Sequence, residues 1–304
     1  MQKDFLSLED LTPEELKGLL DETVKMKYHP AANKPLEGKS IALIFNKSST
    51  RTRIGFEVGM FQLGGYAIML REDETQIGRG ESIYDTARVL SRYVDGLVLR
   101  TFDQKEMEEF ANAAAIPVIN ALTDKSHPCQ AVTDYATILD KKDAIKGIRL
   151  TYIGDGNNVA HSLMMGGAML GVDVTIVTPE KYRPDSKIVS DAKKYLKESG
   201  GKISISGNPQ KAAKGADVIY TDVWASMGQE KEAKKRKKDF AGFTVDKDLL
   251  KLAKPDCLVM HCLPAKRGEE ITAEVMDGTH SVVFDQAEYK LHAQKAILNM
   301  VLGD

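Results

Sequence analysis

Cysteine is scarce in this chain. Cys129, Cys257 and Cys262 are the only 3 among 304 residues. Three cysteines, one of them far from the other two, make neither a disulfide framework nor a set of paired metal-ligand spacings, and they point to a reducing compartment. Long apolar runs are also missing: nothing approaches the roughly 18 residues that cross a bilayer. The opening Met1-Gln2-Lys3-Asp4 has neither the cationic nor the apolar segment of a secretory signal, so the expected location is the cytoplasm. No sign of charge dominates. A net charge of −2 gives no field to draw the chain to nucleic acid or an anionic membrane. The one basic run, Lys234-Lys235-Arg236-Lys237-Lys238, follows Glu230 and Glu232 and reads as a solvated helical face. Neither repeats nor low-complexity tracts are present.

What remains is a soluble, globular composition, 42% hydrophobic and 28% charged, in a chain long enough for two domains with separate cores. Thr12-Pro13-Glu14-Glu15 is a helix start: a Thr cap, Pro at the first helical position and Glu three residues after the cap. Strands and helices then alternate. Strands are expected at Ser40–Phe45, Tyr66–Leu70, Gly96–Leu99 and Ile116–Asn120, with helices at Arg51–Leu63, Ser82–Tyr93, Lys105–Ala115 and Cys129–Leu139. The alternation restarts after Lys141-Lys142-Asp143. Strands are expected at Arg149–Ile153, Asp173–Val177, Lys202–Ser206, Asp217–Thr221, Cys257–His261 and Ser281–Phe284, before a closing helix at Ala287–Leu302. Their β-branched character suits parallel sheets. The expected fold is therefore α/β: two domains, each a mostly parallel sheet with helices on both faces, with the active site in the cleft between them. The boundaries are 1–140 and 141–286, and the closing helix 287–304 packs back on the first domain.

In such sheets ligands bind beyond the carboxyl ends of the strands, and the unusual polar residues fall there. Ser48-Ser49-Thr50-Arg51-Thr52-Arg53 joins a buried strand to a helix, where free N–H groups, hydroxyls and guanidinium forks suit a phosphate. Arg100 and His127-Pro128-Cys129-Gln130 follow later strands of the first half. In the second half Gly154-Asp155-Gly156-Asn157-Asn158, Asp222 with Ser226-Met227-Gly228, and His261-Cys262-Leu263-Pro264 stand at strand ends. The first half thus collects cations and donors, and the second collects groups suited to an amine. Together they imply group transfer from a phosphate compound. Gln76-Ile77-Gly78-Arg79-Gly80-Glu81 adds a glycine-flanked loop before a helix, either a mobile lid or a turn.

Four of these segments, in this order, resemble the aspartate/ornithine carbamoyltransferase family over essentially the whole chain. Ser49-Thr50-Arg51-Thr52 is similar to its carbamoyl phosphate motif and His127-Pro128-Cys129-Gln130 to its second signature. Asp222-Val223-Trp224-Ala225-Ser226-Met227-Gly228 resembles the loop of the ornithine branch, and His261-Cys262-Leu263-Pro264 the cysteine motif. The resemblance implies that Ser49, Thr50, Arg51, Thr52 and Arg100 hold phosphate, while His127, Gln130, Thr52 and Arg100 polarise the carbamoyl oxygen. Cys262, Leu263 and Lys290 complete that ligand's surroundings. Asn158, Asp222, Ser226 and the Met227 backbone would bind ornithine, with Cys262 near its side-chain amine. It further implies trimers or multiples of trimers, with Gln76 reaching into a neighbour's site, and no metal or organic cofactor. Arg100, His127, Cys262 and Thr52 would be the catalytic set. One departure stands out. In Ala287-Glu288-Tyr289-Lys290 the family usually has Asn then Arg, so Lys290 keeps the charge and loses the bidentate fork.

Three alternatives lie near. A sister enzyme acting on putrescine, aspartate or an acylated ornithine is disfavoured by Ser226-Met227-Gly228 and by Asp222, a partner for a free α-ammonium. A dinucleotide-binding dehydrogenase is suggested by Gly154-Asp155-Gly156. The Gly-x-Gly-x-x-Gly spacing fails, however, because position 159 is Val and the next glycine is Gly166. A phosphate-binding regulatory subunit would have no use for His127, Asp222 and Cys262.

Overall fold

The computed structural model describes residues 4–29, 34–71, 76, 80–226 and 228–303. The chain forms two compact units, Met1–Ala136 with Glu288–Asp304, and Thr137–Ala287.

The first unit carries strands β1 (Ser40–Phe45), β2 (Tyr66–Arg71), β3 (Gly96–Arg100) and β4 (Val118–Leu122) in the order β2-β1-β3-β4. All three pairings are parallel. Its helices are α1 (Pro13–Tyr28), α2 (Thr50–Leu63), α3 (Ile83–Leu90), α4 (Gln104–Ala113) and the start of α5 (Pro128–Lys142). The capping box read from the sequence is present: Thr12 Oγ1 accepts the Glu15 N–H at 3.1 Å, and Glu15 Oε2 accepts the Thr12 N–H at 2.7 Å. Alternation along β3 assigns the faces. Leu97 and Leu99 join Met107 and Phe110 of α4 in one core. Gly96, on the opposite face, lies against Leu302, where a Cβ would come within 2.9 Å of a Leu302 methyl.

The second unit holds β5 (Arg149–Ile153), β6 (Asp173–Val177), β7 (Lys202–Ser206), β8 (Val218–Thr221) and β9 (Leu258–His261). The order is β7-β6-β5-β8-β9, again parallel throughout. Helices α6 (Asn158–Leu170), α7 (Ser186–Lys193), α8 (Leu196–Ser199), α9 (Pro209–Ala213), α10 (Ala233–Asp239), α11 (Lys247–Leu250) and α12 (Ala273–Met276) flank it, and α13 (Val283–Leu302) ends the chain. From Val159 to Leu170 every residue of α6 is buried, which fits its nearly all-apolar sequence. Trp224, Phe240, Phe243 and Val259 lie in a second core of this unit.

Three expectations change. The strand expected at Ser281–Phe284 is a single bridge, Ser281 to Val259, and α13 begins at Val283. The Val282 carbonyl accepts the Gln286 N–H at 2.8 Å, so this β-branched stretch opens a helix, tertiary context overriding propensity. Arg100 is the last residue of β3 rather than the first beyond it. The basic run is only partly solvated: its four lysines are exposed, but Arg236 is buried. Among the described residues no helix is long and apolar enough to cross a membrane.

Candidate active site

In both sheets the strand order reverses at the centre, between β1 and β3 and between β5 and β8. A reversal parts the loops leaving neighbouring strands and opens a crevice at their carboxyl ends. Ser49–Thr52 and Arg100 stand at the first of these positions and Asn158 and Asp222 at the second, while His127 and Gln130 follow the outer strand β4 and Cys262 follows the outer strand β9.

At the first, β1 runs into α2. Ser49 is the N-cap, its Oγ accepting the Thr52 N–H at 3.2 Å. No acidic residue occupies the first turn of α2, whereas α1 carries Glu14 and Glu15 there. The N-terminal dipole of α2 therefore faces outward without an internal anion, and Arg51 and Arg53 add to it. The two arginines differ. Arg53 is tied to Glu57 one turn along at 2.9 Å, while among the described residues Arg51 has no carboxylate partner. Thr50 is exposed and Ser49 half-buried. Thr52 is fully buried, and its Oγ1 has no hydrogen-bond partner.

Arg100, in register with Phe45, is buried beside a bulge in the β3–β4 ladder between Leu99 and Arg100. Such an irregularity re-aims a strand-end side chain. His127 precedes α5 and is also buried. Burial pushes its imidazole well below the ordinary value, and the charges of Lys290 and Arg100 push the same way, so the ring is neutral at neutral pH. Gln130 is clamped at both ends: its Nε2 donates to Asp134 Oδ1 at 2.8 Å, and its Oε1 accepts from Lys290 Nζ at 2.8 Å. Lys290 thus belongs to this cluster through Gln130. Gln76 is exposed, its carbonyl accepting the Glu81 N–H at 3.0 Å. Its side chain is not part of the buried cluster. Nearby Cys129 is buried, which pushes its thiol up to about 12 and makes it inert.

At the second reversal, Asp222 follows β8 and is buried. Its Oδ2 accepts from Asn157 Nδ2 at 2.9 Å, and its Oδ1 accepts the Val223 N–H at 2.8 Å and the Cys262 thiol at 3.1 Å. Asn157 also caps α6 through the Val159 and Ala160 N–H groups. Asn158, the residue singled out from the sequence, is the first of α6. Its neighbour Asn157 is the one bonded to Asp222 here, and the sequence signal for it is that of a cap, an Asn just before an apolar helix. Ser226 is half-buried, its N–H donating to Gln229 Oε1 at 3.1 Å; Met227 lies outside the described residues. Leu263 has φ +59°, and its N–H donates to His261 Nδ1 at 2.9 Å. Since Nδ1 accepts, a neutral His261 carries its proton on Nε2, 3.0 Å from Glu270 Oε1. Asp222, His261 and Cys262 offer ligand atoms within 4.8 Å of one another. A cation there would have to break one of the bonds that already occupy both His261 nitrogens.

The two clusters differ in sign. In the first, burial chiefly, then the cations Lys290 and Arg100, depress His127; in the second, burial chiefly, then Asp222 and Asp155, raise the Tyr152 hydroxyl well above its ordinary value. The first suits an anion and the second an ammonium group. The Gly154–Asn158 turn is spoken for otherwise than in a dinucleotide site. The Gly156 N–H donates to the Tyr182 carbonyl at 2.9 Å, and a Cβ there would stand 2.3 Å from Pro184 N. Asp155 is ion-paired with Arg236 at 2.7 Å.

Comparison with known proteins agrees in sequence and in fold. Residues 3–140 match the aspartate/ornithine carbamoyltransferase carbamoyl-P binding domain, and residues 146–301 match the Asp/Orn binding domain of the same family. The chain is 56% identical over 304 residues to ornithine carbamoyltransferase of Thermococcus kodakarensis, covering 99% of this chain and 96% of that protein. It is 55% identical to a Pyrococcus furiosus protein named ornithine carbamoyltransferase, anabolic, with the same coverage. Among solved structures, ornithine carbamoyltransferase from Pyrococcus furiosus superposes with a TM-score of 0.95 at 54% identity, over 99% of this chain and 97% of that one. Anabolic ornithine carbamoyltransferase from Campylobacter jejuni gives 0.94 at 38% identity, over 98% of each.

Proposed function

The chain belongs to the aspartate/ornithine carbamoyltransferase family, and from that premise we propose that it transfers the carbamoyl group of carbamoyl phosphate to the side-chain amine of L-ornithine, releasing L-citrulline and phosphate. The buried Asp222 carboxyl carries the choice of acceptor: Asn157 and Cys262 donate to it and hold it in place for a free α-ammonium. Putrescine and acylated ornithines lack that group.

In this reading Ser49, Thr50, Arg51, Thr52 and Arg100 hold the phosphate, with the N-terminal N–H groups of α2. His127, donating as a neutral ring, joins Thr52, Gln130 and Arg100 at the carbamoyl oxygen, and Lys290 acts beside them through Gln130. Leu263 lies near the carbamoyl group. Asp222, Asn158, Ser226 and the Met227 backbone bind the amino-acid end of ornithine, with Cys262 near its side-chain nitrogen. That nitrogen has an ordinary pKa of about 10.4, so it must lose a proton before it attacks. The new C–N bond drives charge onto the carbamoyl oxygen, where an aligned donor is worth roughly 10²–10³ in rate. The C–O bond to phosphate then breaks, and a phosphate oxygen takes the amine's proton. The protein works in the cytoplasm as a trimer or a multiple of trimers, with Gln76 serving a neighbour's site. The exposure of Gln76, and of Phe61 (79%) and Tyr66 (68%) on the same unit, supports that assembly.

The test is incubation with carbamoyl phosphate and, separately, ornithine, putrescine, acetylornithine and aspartate, measuring phosphate and ureido product. Citrulline and phosphate with ornithine alone are expected. No phosphate release with any amine would overturn the activity. Arg51→Ala is expected to lower kcat/KM by roughly 10-fold to 100-fold, the worth of a charge-assisted hydrogen bond. Near-normal turnover in that variant would overturn the site assignment.

A further inference from the structure

Gln294 stands on α13 one turn beyond Lys290 and is fully buried. Its Nε2 donates to the Thr52 carbonyl at 3.2 Å, while its Oε1 is buried with no hydrogen-bond partner. An unmatched buried acceptor is destabilising, so packing alone would favour an apolar side chain here. The approach depends on residue 55 being glycine. A Cβ at Gly55 would lie 1.8 Å from Gln294 Oε1 and 3.0 Å from its Cδ.

The consequence falls on Thr52. Its N–H is bonded to Ser49 Oγ and its carbonyl to Gln294, so the backbone is pinned on both sides of its Cα. The Thr52 hydroxyl is left as the unmatched polar group. We propose that Gln294 is a positioning residue of the carbamoyl phosphate site: by holding the Thr52 carbonyl it fixes where the Thr52 hydroxyl and the first turn of α2 meet the ligand, through the gap that Gly55 leaves. This rests on the reading of Thr52 as a ligand contact.

Gln294→Met keeps the volume while removing both the donor and the unmatched acceptor. It should raise the KM for carbamoyl phosphate about 10-fold, the scale of one well-placed hydrogen bond, with the ornithine KM within about 2-fold and the thermal midpoint unchanged or higher. Gly55→Ala, by pushing Oε1 aside, should give the same split from the opposite helix. Unchanged constants in both variants, equal changes in the two KM values, or a lowered midpoint with unchanged constants would each overturn the proposal. Thr52→Val separates the two levels. If it leaves the carbamoyl phosphate KM unchanged, the reading of Thr52 is wrong. If it raises that KM while Gln294→Met and Gly55→Ala are silent, Gln294 is only a packing residue.

Discussion

His127 illustrates how single side chains here are set by their neighbours. Burial, Lys290 and Arg100 all favour its neutral ring, and a neutral imidazole donates one N–H without adding charge beside two cations. Stability follows by linkage. Above the ordinary histidine value of 6.5 neither the folded nor the unfolded chain protonates this group, so its contribution is constant. Below 6.5 the unfolded chain takes up a proton that the folded chain refuses, so stability falls as pH drops from 6.5 toward the depressed folded value. His292, lowered by burial and Lys295, acts in the same direction. Lys290→Met removes one of the cations, lets the folded value of His127 rise, and should flatten this acid slope. Urea midpoints on either side of pH 6.5 check it; an unchanged slope would mean that Lys290 does not act on His127. The donors at this site were legible as residue types at strand ends. That Arg51 and Arg53 part company was not, because the Glu57 that occupies Arg53 matters only once α2 has formed.

At the scale of the element, α10 is the instructive case. The sequence reads as a uniform basic helix, yet Arg236 turns inward. Its Nη1 meets Asp155 at 2.7 Å and the Trp224 carbonyl at 2.9 Å, its Nε meets Glu232 at 3.0 Å, and its guanidinium lies 4.8 Å over the Tyr182 ring. Trp224 in turn stacks on Phe240. This clamp anchors the loop after Asp222 that carries Ser226. Arg236→Met leaves Asp155 buried without its partner, which should cost about 3–5 kcal/mol, and it should raise the KM for ornithine without changing that for carbamoyl phosphate. Denaturant titration and steady-state kinetics check both halves. An unaltered ornithine KM would make the clamp structural only. No periodicity signals an inward arginine among four lysines, since only the fold brings Asp155 opposite it. The strand expected at Ser281–Phe284 fails for a related reason: β-branched residues suit a strand, but this segment only bridges Val259 before α13 starts.

At the scale of the whole molecule, exposed apolar surface bears on assembly. Phe61 on α2 and Tyr66 on the edge strand β2 expose large apolar surface, and no described strand pairs with the outer edge of β2. Edges of this kind ask for cover. Light scattering should give the mass of a trimer or a multiple of trimers. Phe61→Asp should shift the protein toward monomer and, on the proposed role of Gln76 in a neighbour's site, lower turnover. A fully active monomer would remove Gln76 from the site.

The sequence by itself determined the alternation of elements, the helix starts and the chemistry at the strand ends. These depend on local periodicity, on capping and on residue type, all of which are written in order along the chain. Only the tertiary structure decided that Asn157 reaches Asp222, that Arg236 is buried, and that Gln294 can touch the Thr52 carbonyl. Each of these joins residues far apart in sequence, from 65 positions for Asn157 and Asp222 to 242 for Gln294 and Thr52. Such pairs form only when packing brings two elements within hydrogen-bond distance, and in the last case only because Gly55 has no side chain to keep them apart.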